Sequence, residues 1–237
     1  MRKMLVPYVT GGMTAGWADH ARAYVDAGAD AVEVGLPFSD PVIDGPVVQE
    51  ASDRALARGA TVAGLLAEIA ALDVGVPLIA MTYANLARPE AVPAFRDAGL
   101  AGLIVPDLPL EESGPLDRAA ADAGLDLILL AAPATPPERR AAIAARSRRF
   151  VYATTLMGTT GVRPELAATG GALAADLKRH TDLPVLLGIG ISTPDQAAAA
   201  CRYADGVIVG SALVRAVLDG RAPAEVGAMV AAMRAAL

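Results

Sequence analysis

The sequence is expected to fold as a (β/α)8 barrel, and two features of its patterning carry that expectation. First, apolar runs recur at residues 4–9, 31–35, 78–81, 103–105, 125–130, 150–153, 185–187 and 207–209, with helical stretches between them. Each is short, rich in Val, Ile and Leu and nearly free of polar alternation, as parallel strands covered on both faces require. Second, the triplets Asp26-Ala27-Gly28, Asp97-Ala98-Gly99 and Asp122-Ala123-Gly124 each end a helix-like stretch just before an apolar run. A glycine past a helix end takes the left-handed conformation at little steric cost and turns the chain toward the next strand. Helix starts are signalled by Pro136-Pro137-Glu138 and Ser192-Thr193-Pro194-Asp195. Eight strands alternating with helices in 237 residues fit one barrel domain, 1–237. An open doubly wound sheet would want fewer strands and an early glycine fingerprint, and no linker or low-complexity block divides the chain.

Composition narrows the function. The 54% hydrophobic content is largely alanine, and no uncharged stretch reaches the roughly 18 apolar residues of a membrane helix. Pro7, Tyr8 and Gly11 interrupt the opening apolar run too early for a signal peptide. A lone cysteine, Cys201, excludes an internal disulfide and fits a reducing cytoplasm, where it reads as a buried structural thiol. The net charge of −6 argues against nucleic acid. His20 and His180 lie far apart in helical contexts, so neither a metal site nor a histidine-based triad is expected.

A barrel places its chemistry at the C-terminal ends of its strands. There, Glu33 interrupts the apolar run Ala31-Val32-Glu33-Val34, and its place in the alternation points it into the barrel. Desolvation among apolar neighbours should raise its pKa toward neutrality, suiting a group that both gives and takes a proton. No Arg or Lys on a neighbouring strand offers to neutralise it. Asp40 and Asp44 follow in a loop of Pro and Gly, where Asp is also an ordinary turn residue. Glycine-rich turns close the sixth, seventh and eighth runs: Gly158-Thr159-Thr160-Gly161, Gly188-Ile189-Gly190-Ile191-Ser192 and Gly210-Ser211. Backbone N–H groups at such helix starts donate directly to phosphate, with the helix supplying the field. Tyr8 and Thr10, Tyr83 and Asn85, Asp107 and Tyr152 are the remaining polar or aromatic strand-end residues, and the tyrosines could line a flat slot for an aromatic substrate.

The stretch from Glu33 to Pro46, Glu-Val-Gly-Leu-Pro-Phe-Ser-Asp-Pro-Val-Ile-Asp-Gly-Pro, resembles the signature of the tryptophan synthase α subunit. The resemblance runs over nearly the whole chain through Val6-Pro7-Tyr8-Val9-Thr10, Met81-Thr82-Tyr83-Ala84-Asn85, Pro106-Asp107-Leu108-Pro109 and the phosphate turns. It implies retro-aldol cleavage of indole-3-glycerol phosphate to indole and glyceraldehyde 3-phosphate, in tryptophan biosynthesis. It assigns proton transfer to Glu33 and stabilisation of the ring N–H to Asp44. It puts Tyr8, Met81, Tyr83, Tyr152 and Thr160 around the substrate, and Gly161, Gly190, Gly210 and Ser211 on the phosphate. No cofactor is implied in this chain; pyridoxal phosphate belongs to a partner β subunit, met through the Asp40 and Pro41 loop and the 106–112 stretch between Pro106 and Glu112. Residues 158–164 correspond to a lid.

Two departures from the family pattern stand out. The sequence begins almost at the first strand, without most of the usual N-terminal helix, which exposes apolar core there unless other residues or a partner cover it. The lid reads Thr155-Leu156-Met157-Gly158-Thr159-Thr160-Gly161 where many members have other versions. The readings that compete are a stand-alone lyase releasing indole for secondary metabolism, a non-catalytic barrel that activates a β subunit, and a phosphosugar isomerase on the same fold, which leaves the Pro-Phe-Ser-Asp-Pro loop unexplained.

Overall fold

The structure is a computed structural model that describes residues 2–154, 164–188 and 190–237, with the side chains of 164–168 also outside the description. Its strands are β1 (Met4–Thr10), β2 (Val32–Gly35), β3 (Leu78–Met81), β4 (Gly102–Ile104), β5 (Asp126–Ile128), β6 (Leu130–Ala131), β7 (Val151–Thr154), β8 (Val185–Gly188) and β9 (Gly206–Val209). They form one parallel sheet in the order β5-β4-β3-β2-β1-β9-β8-β7-β6. The helices are α1 (Trp17–Asp26), α2 (Pro46–Ala57), α3 (Val62–Ala70), α4 (Val92–Asp97), α5 (Gly114–Ala123), α6 (Pro137–Arg146), α7 (Pro164–Leu177), α8 (Pro194–Ala200), α9 (Ser211–Leu218) and α10 (Pro223–Ala235). This is the expected (β/α)8 barrel.

The expected eight strands become nine because the fifth run splits at Leu129. Its first half pairs with β4 and its second half with β7, so the chain itself joins the two edges of the sheet. At the splice the Leu129 N–H donates to the Ser147 hydroxyl at 3.0 Å, and that hydroxyl donates to the Phe150 carbonyl at 2.6 Å. The Leu129 carbonyl accepts from the Tyr152 N–H at 3.0 Å. A side chain thus takes one place in the ladder that backbone would otherwise hold.

Alternation along the strands sorts the core into two populations. Val6, Ala31, Ile79, Ile104, Ile128, Phe150, Leu186 and Ile208 fill the barrel interior, while Leu5, Val9, Val32, Val34, Ala80, Leu103, Leu127, Val151, Val185 and Val207 pack against the helices. The helix-ending glycines behave as their triplets imply: Gly28, Gly99 and Gly124 have φ of 93°, 81° and 71°. Thr193 starts α8 with a reciprocal capping box to Gln196.

At the N-terminal rim the interior is closed by this chain's own residues. The interior layer is fully buried, and charged pairs surround its lower end. Arg234 of α10 bonds Asp30 at 2.9 Å and the Lys3 carbonyl at 2.8 Å, while Asp30 also accepts from the Leu5 N–H at 2.8 Å. Lys178 pairs with Asp205, and Arg149 with Asp126. Among the described residues the large apolar side chains left exposed are Val42 and Tyr203. No described helix is long and apolar enough to cross a membrane.

Candidate active site

Glu33 lies mid-strand on β2, level with Tyr8 of β1 and Ile79 of β3. Its side chain is 1% exposed, and neither carboxylate oxygen has a hydrogen-bond partner. Among the described residues no cation is paired with it. Burial, reinforced by the negative charge of Asp44, pushes the Glu33 carboxyl up to about 8. Burial thus makes this carboxyl hold its proton more tightly than an exposed glutamate does.

Asp44 arrives from the loop between β2 and α2. Tyr83, just past β3, donates to Asp44 Oδ2 at 3.0 Å and accepts from the Ile43 N–H at 3.2 Å. Burial raises the Asp44 carboxyl while the Tyr83 hydrogen bond opposes the rise. Phe38 stacks on Tyr83 with ring centroids 4.8 Å apart, fixing the ring that fixes the carboxylate. Asp40, in the same loop, is exposed and accepts from the Ser39 hydroxyl.

Tyr8 and Tyr152 complete the floor. The Tyr8 hydroxyl meets the Thr10 hydroxyl at 3.2 Å. Both phenols are raised chiefly by burial, with the negative charges of Asp44 and Glu33 adding to the effect, so both stay neutral. Room for these rings is made by absent side chains. A Cβ on Gly35 would lie 1.9 Å from Tyr8 Oη, and one on Gly188 would lie 2.1 Å from Tyr152 Cε2. The glycine two residues beyond Glu33 is thus a spacing requirement on the same strand face. Met81 is half-buried against the interior layer.

Gly210 sits behind Tyr8, at 3.7 Å from its Cβ for an added methyl, and caps the start of α9, whose first residue is Ser211. The N–H groups of Leu213 and Val214 return to the Gly210 carbonyl, and those of Ser211 and Ala212 precede them in the first turn, where helices bind anions. Gly190 has φ of 21° with open space around its Cβ position. Thr160 and Gly161, with the lid stretch 158–163, lie outside the described residues. His20 is buried between the Gly16 and Arg221 carbonyls, and Cys201, expected as a buried thiol, is buried and in no disulfide. Among the described residues no group of three or more His, Cys, Asp or Glu is placed to hold a metal.

The family model for the tryptophan synthase alpha chain matches residues 1–235. The chain belongs to the tryptophan synthase alpha chain family. It is a lyase of the kind that cleaves indole-3-glycerol phosphate in tryptophan biosynthesis. Among its relatives, the tryptophan synthase alpha chain of Synechocystis sp. is 45% identical over 225 residues, covering 91% of this chain and 85% of that one. That of Halobacterium salinarum is 45% identical over 239 residues, covering 96% and 86%. Among solved structures, Mycobacterium tuberculosis tryptophan synthase superposes with a TM-score of 0.91 at 37% identity, covering 99% of this chain and 92% of that one. The subunit alpha structure from Legionella pneumophila gives 0.86 at 33% identity.

What sequence reasoning missed is the support around the two carboxylates. Phe38 stood in the motif without a role. Besides its expected place in the slot, Tyr83 holds Asp44 through its hydroxyl. Gln49, whose side-chain amide donates to the Pro41 and Asp44 carbonyls, carries no sequence signal, because those partners lie in an irregular loop.

Proposed function

We propose that this chain performs the alpha reaction on one barrel domain, 1–237, with Glu33 as acid and base and Asp44 as the charge-stabilising carboxylate. The observation that carries the reading is Glu33 itself: a carboxyl buried on the barrel side of β2, without a hydrogen-bond partner among the described residues and raised in pKa by that burial. The protonated Glu33 gives its proton to C3 of the indole ring. The ring becomes cationic at nitrogen, and its N–H bonds more strongly to Asp44, whose Oδ2 takes the Tyr83 hydroxyl and whose second oxygen faces the indole in this reading. A contact that strengthens as charge develops lowers the barrier rather than merely binding substrate. Glu33, now a carboxylate, takes the proton of the side-chain hydroxyl next to the ring. The oxygen pair becomes the carbonyl, the bond to C3 breaks, and its electrons restore neutral indole. One proton is delivered and one recovered, so the step balances without a cofactor in this chain.

Tyr8, Met81, Tyr83, Tyr152 and Thr160 would border the ring. Gly161, Gly190, Gly210 and Ser211 would hold the phosphate, a role supported by the α9 start beside Tyr8. Pyridoxal phosphate belongs in this reading to a β subunit docked on the Asp40 and Pro41 loop and on 106–112. Val42, 81% exposed in that loop, supports a partner there, as do the exposed Asp107, Pro109, Glu111 and Glu112. The cytoplasm is the fitting compartment.

The test is indole release from indole-3-glycerol phosphate by the purified chain. Glu33→Gln is expected to lose at least about a hundredfold in kcat, the scale of a positioned proton-transfer group. A folded Glu33→Gln protein with unchanged turnover would remove the assignment. Added β subunit should raise turnover; high turnover that ignores it would instead favour the stand-alone lyase.

A further inference from the structure

We infer that Gln49 is a positioning residue for this reaction, its side-chain amide locking the loop that presents Asp44; the inference rests on the role proposed for Asp44. Gln49 is the fourth residue of α2. Its Nε2 donates to the Pro41 carbonyl at 3.1 Å and to the Asp44 carbonyl at 2.9 Å. The Asp44 N–H closes the same turn on the Pro41 carbonyl at 3.1 Å. Primary amide nitrogen carries two protons, so one group satisfies both acceptors at once.

The arrangement differs from helix capping. Gly45 at the N-cap of α2 offers no side chain, and Pro46 opens the helix. Gln49 does not bond the first-turn N–H groups that a cap would satisfy. It reaches backwards past the helix start into the loop, where both acceptors belong to the segment bearing Asp44. Asp44 is thereby held at two points: its main chain by Gln49 and its carboxylate by Tyr83. Between Pro41 and Asp44, Val42 stands in solvent, while the half-buried Ile43 gives its N–H to the Tyr83 hydroxyl. The same amide ties the Pro41 carbonyl, on the side proposed to meet the β subunit, to the main-chain carbonyl of Asp44. Gln49 itself touches no substrate in this reading; it acts through Asp44.

The experiment compares Gln49→Met, Gln49→Glu and Gln49→Lys with Asp44→Asn and the unaltered chain in indole release. Methionine keeps the reach and removes the donors, glutamate turns a carboxylate on the two carbonyls, and lysine restores a donor. Gln49→Met and Gln49→Glu are expected to lower kcat about ten- to a hundredfold, the cost of a misplaced catalytic group, with KM within about threefold. Gln49→Lys should recover most of that loss. In the Asp44→Asn background, Gln49→Met should cost less than about threefold more, because the two residues act as one unit. Should Gln49→Met not fold, Gln49→Glu carries the same comparison. Unchanged kcat in Gln49→Glu and Gln49→Met overturns the inference, as does an equal loss with and without Asp44→Asn. If Asp44→Asn is crippled while the Gln49 variants are not, Gln49 falls and the role of Asp44 stands. If Asp44→Asn keeps full turnover, both fall.

Discussion

Glu33 stood out in the sequence because an acid inside an apolar strand calls for either a buried cation or a task. Among the described residues neither of its oxygens is paired. That isolation has a measurable cost in stability. Between 4.5, the ordinary value for the carboxyl, and about 8, the folded chain keeps a proton that the unfolded chain has released. Where the folded state binds more protons, stability falls as pH rises. The Glu33 contribution is therefore most favourable below the unfolded value and is progressively lost up to about pH 8. Glu33→Gln, uncharged throughout, escapes this slope. Its Tm should exceed that of the unaltered chain by an amount that widens with pH across the window and levels off above it. Parallel Tm curves would mean that Glu33 ionises in the fold as it does in water. By contrast, the hydroxyl of Tyr83 on Asp44 could not be read ahead, since it joins residues 39 apart through an irregular loop.

The elements themselves were written in local pattern, and their ends moved by a residue or so. Left-handed glycines at 28, 99 and 124 and the Thr193 cap are properties of a few neighbouring residues, so they survive folding unchanged. The break in the fifth strand is not local. It depends on Ser147, 18 residues beyond Leu129, and on which edge each half of the run joins. Ser147 is 2% exposed, and its hydroxyl serves one half-buried N–H and one buried carbonyl at the seam of the barrel. Ser147→Ala leaves both without that partner, which should cost about 1–3 kcal/mol, the penalty for stranding a buried polar group. Urea unfolding should show the loss as a lower midpoint with an unchanged slope. An unaltered midpoint would show that the ladder closes without the hydroxyl.

At the scale of the whole molecule, the two rims of the barrel carry different burdens. Asp44, Tyr83 and Gly210 gather at the C-terminal rim, above Glu33 and Tyr8 within the strands, on the side where such barrels place their chemistry. The N-terminal rim is stitched by charge: Arg234 on the last helix grips Asp30 and the Lys3 carbonyl, and so joins the end of the chain to its first strand and to the entry of β2. The Arg234 and Asp30 side chains are 17% and 23% exposed, enough burial for the pair to resist screening better than an open surface pair does. Arg234→Leu keeps the stem and removes the charge, leaving Asp30 with Arg2, the Leu5 N–H and solvent. The expected loss is about 1–3 kcal/mol, the range for hydrogen bonds to charged groups. Arg22→Leu, which breaks an exposed pair with Asp19, should change stability by less than about 1 kcal/mol. Because Arg234 lies at the rim opposite the carboxylates, kcat and KM per folded molecule should be those of the unaltered chain. A fall in kcat at unchanged Tm would contradict this division, and would mean that the N-terminal rim shapes the site across the full depth of the barrel.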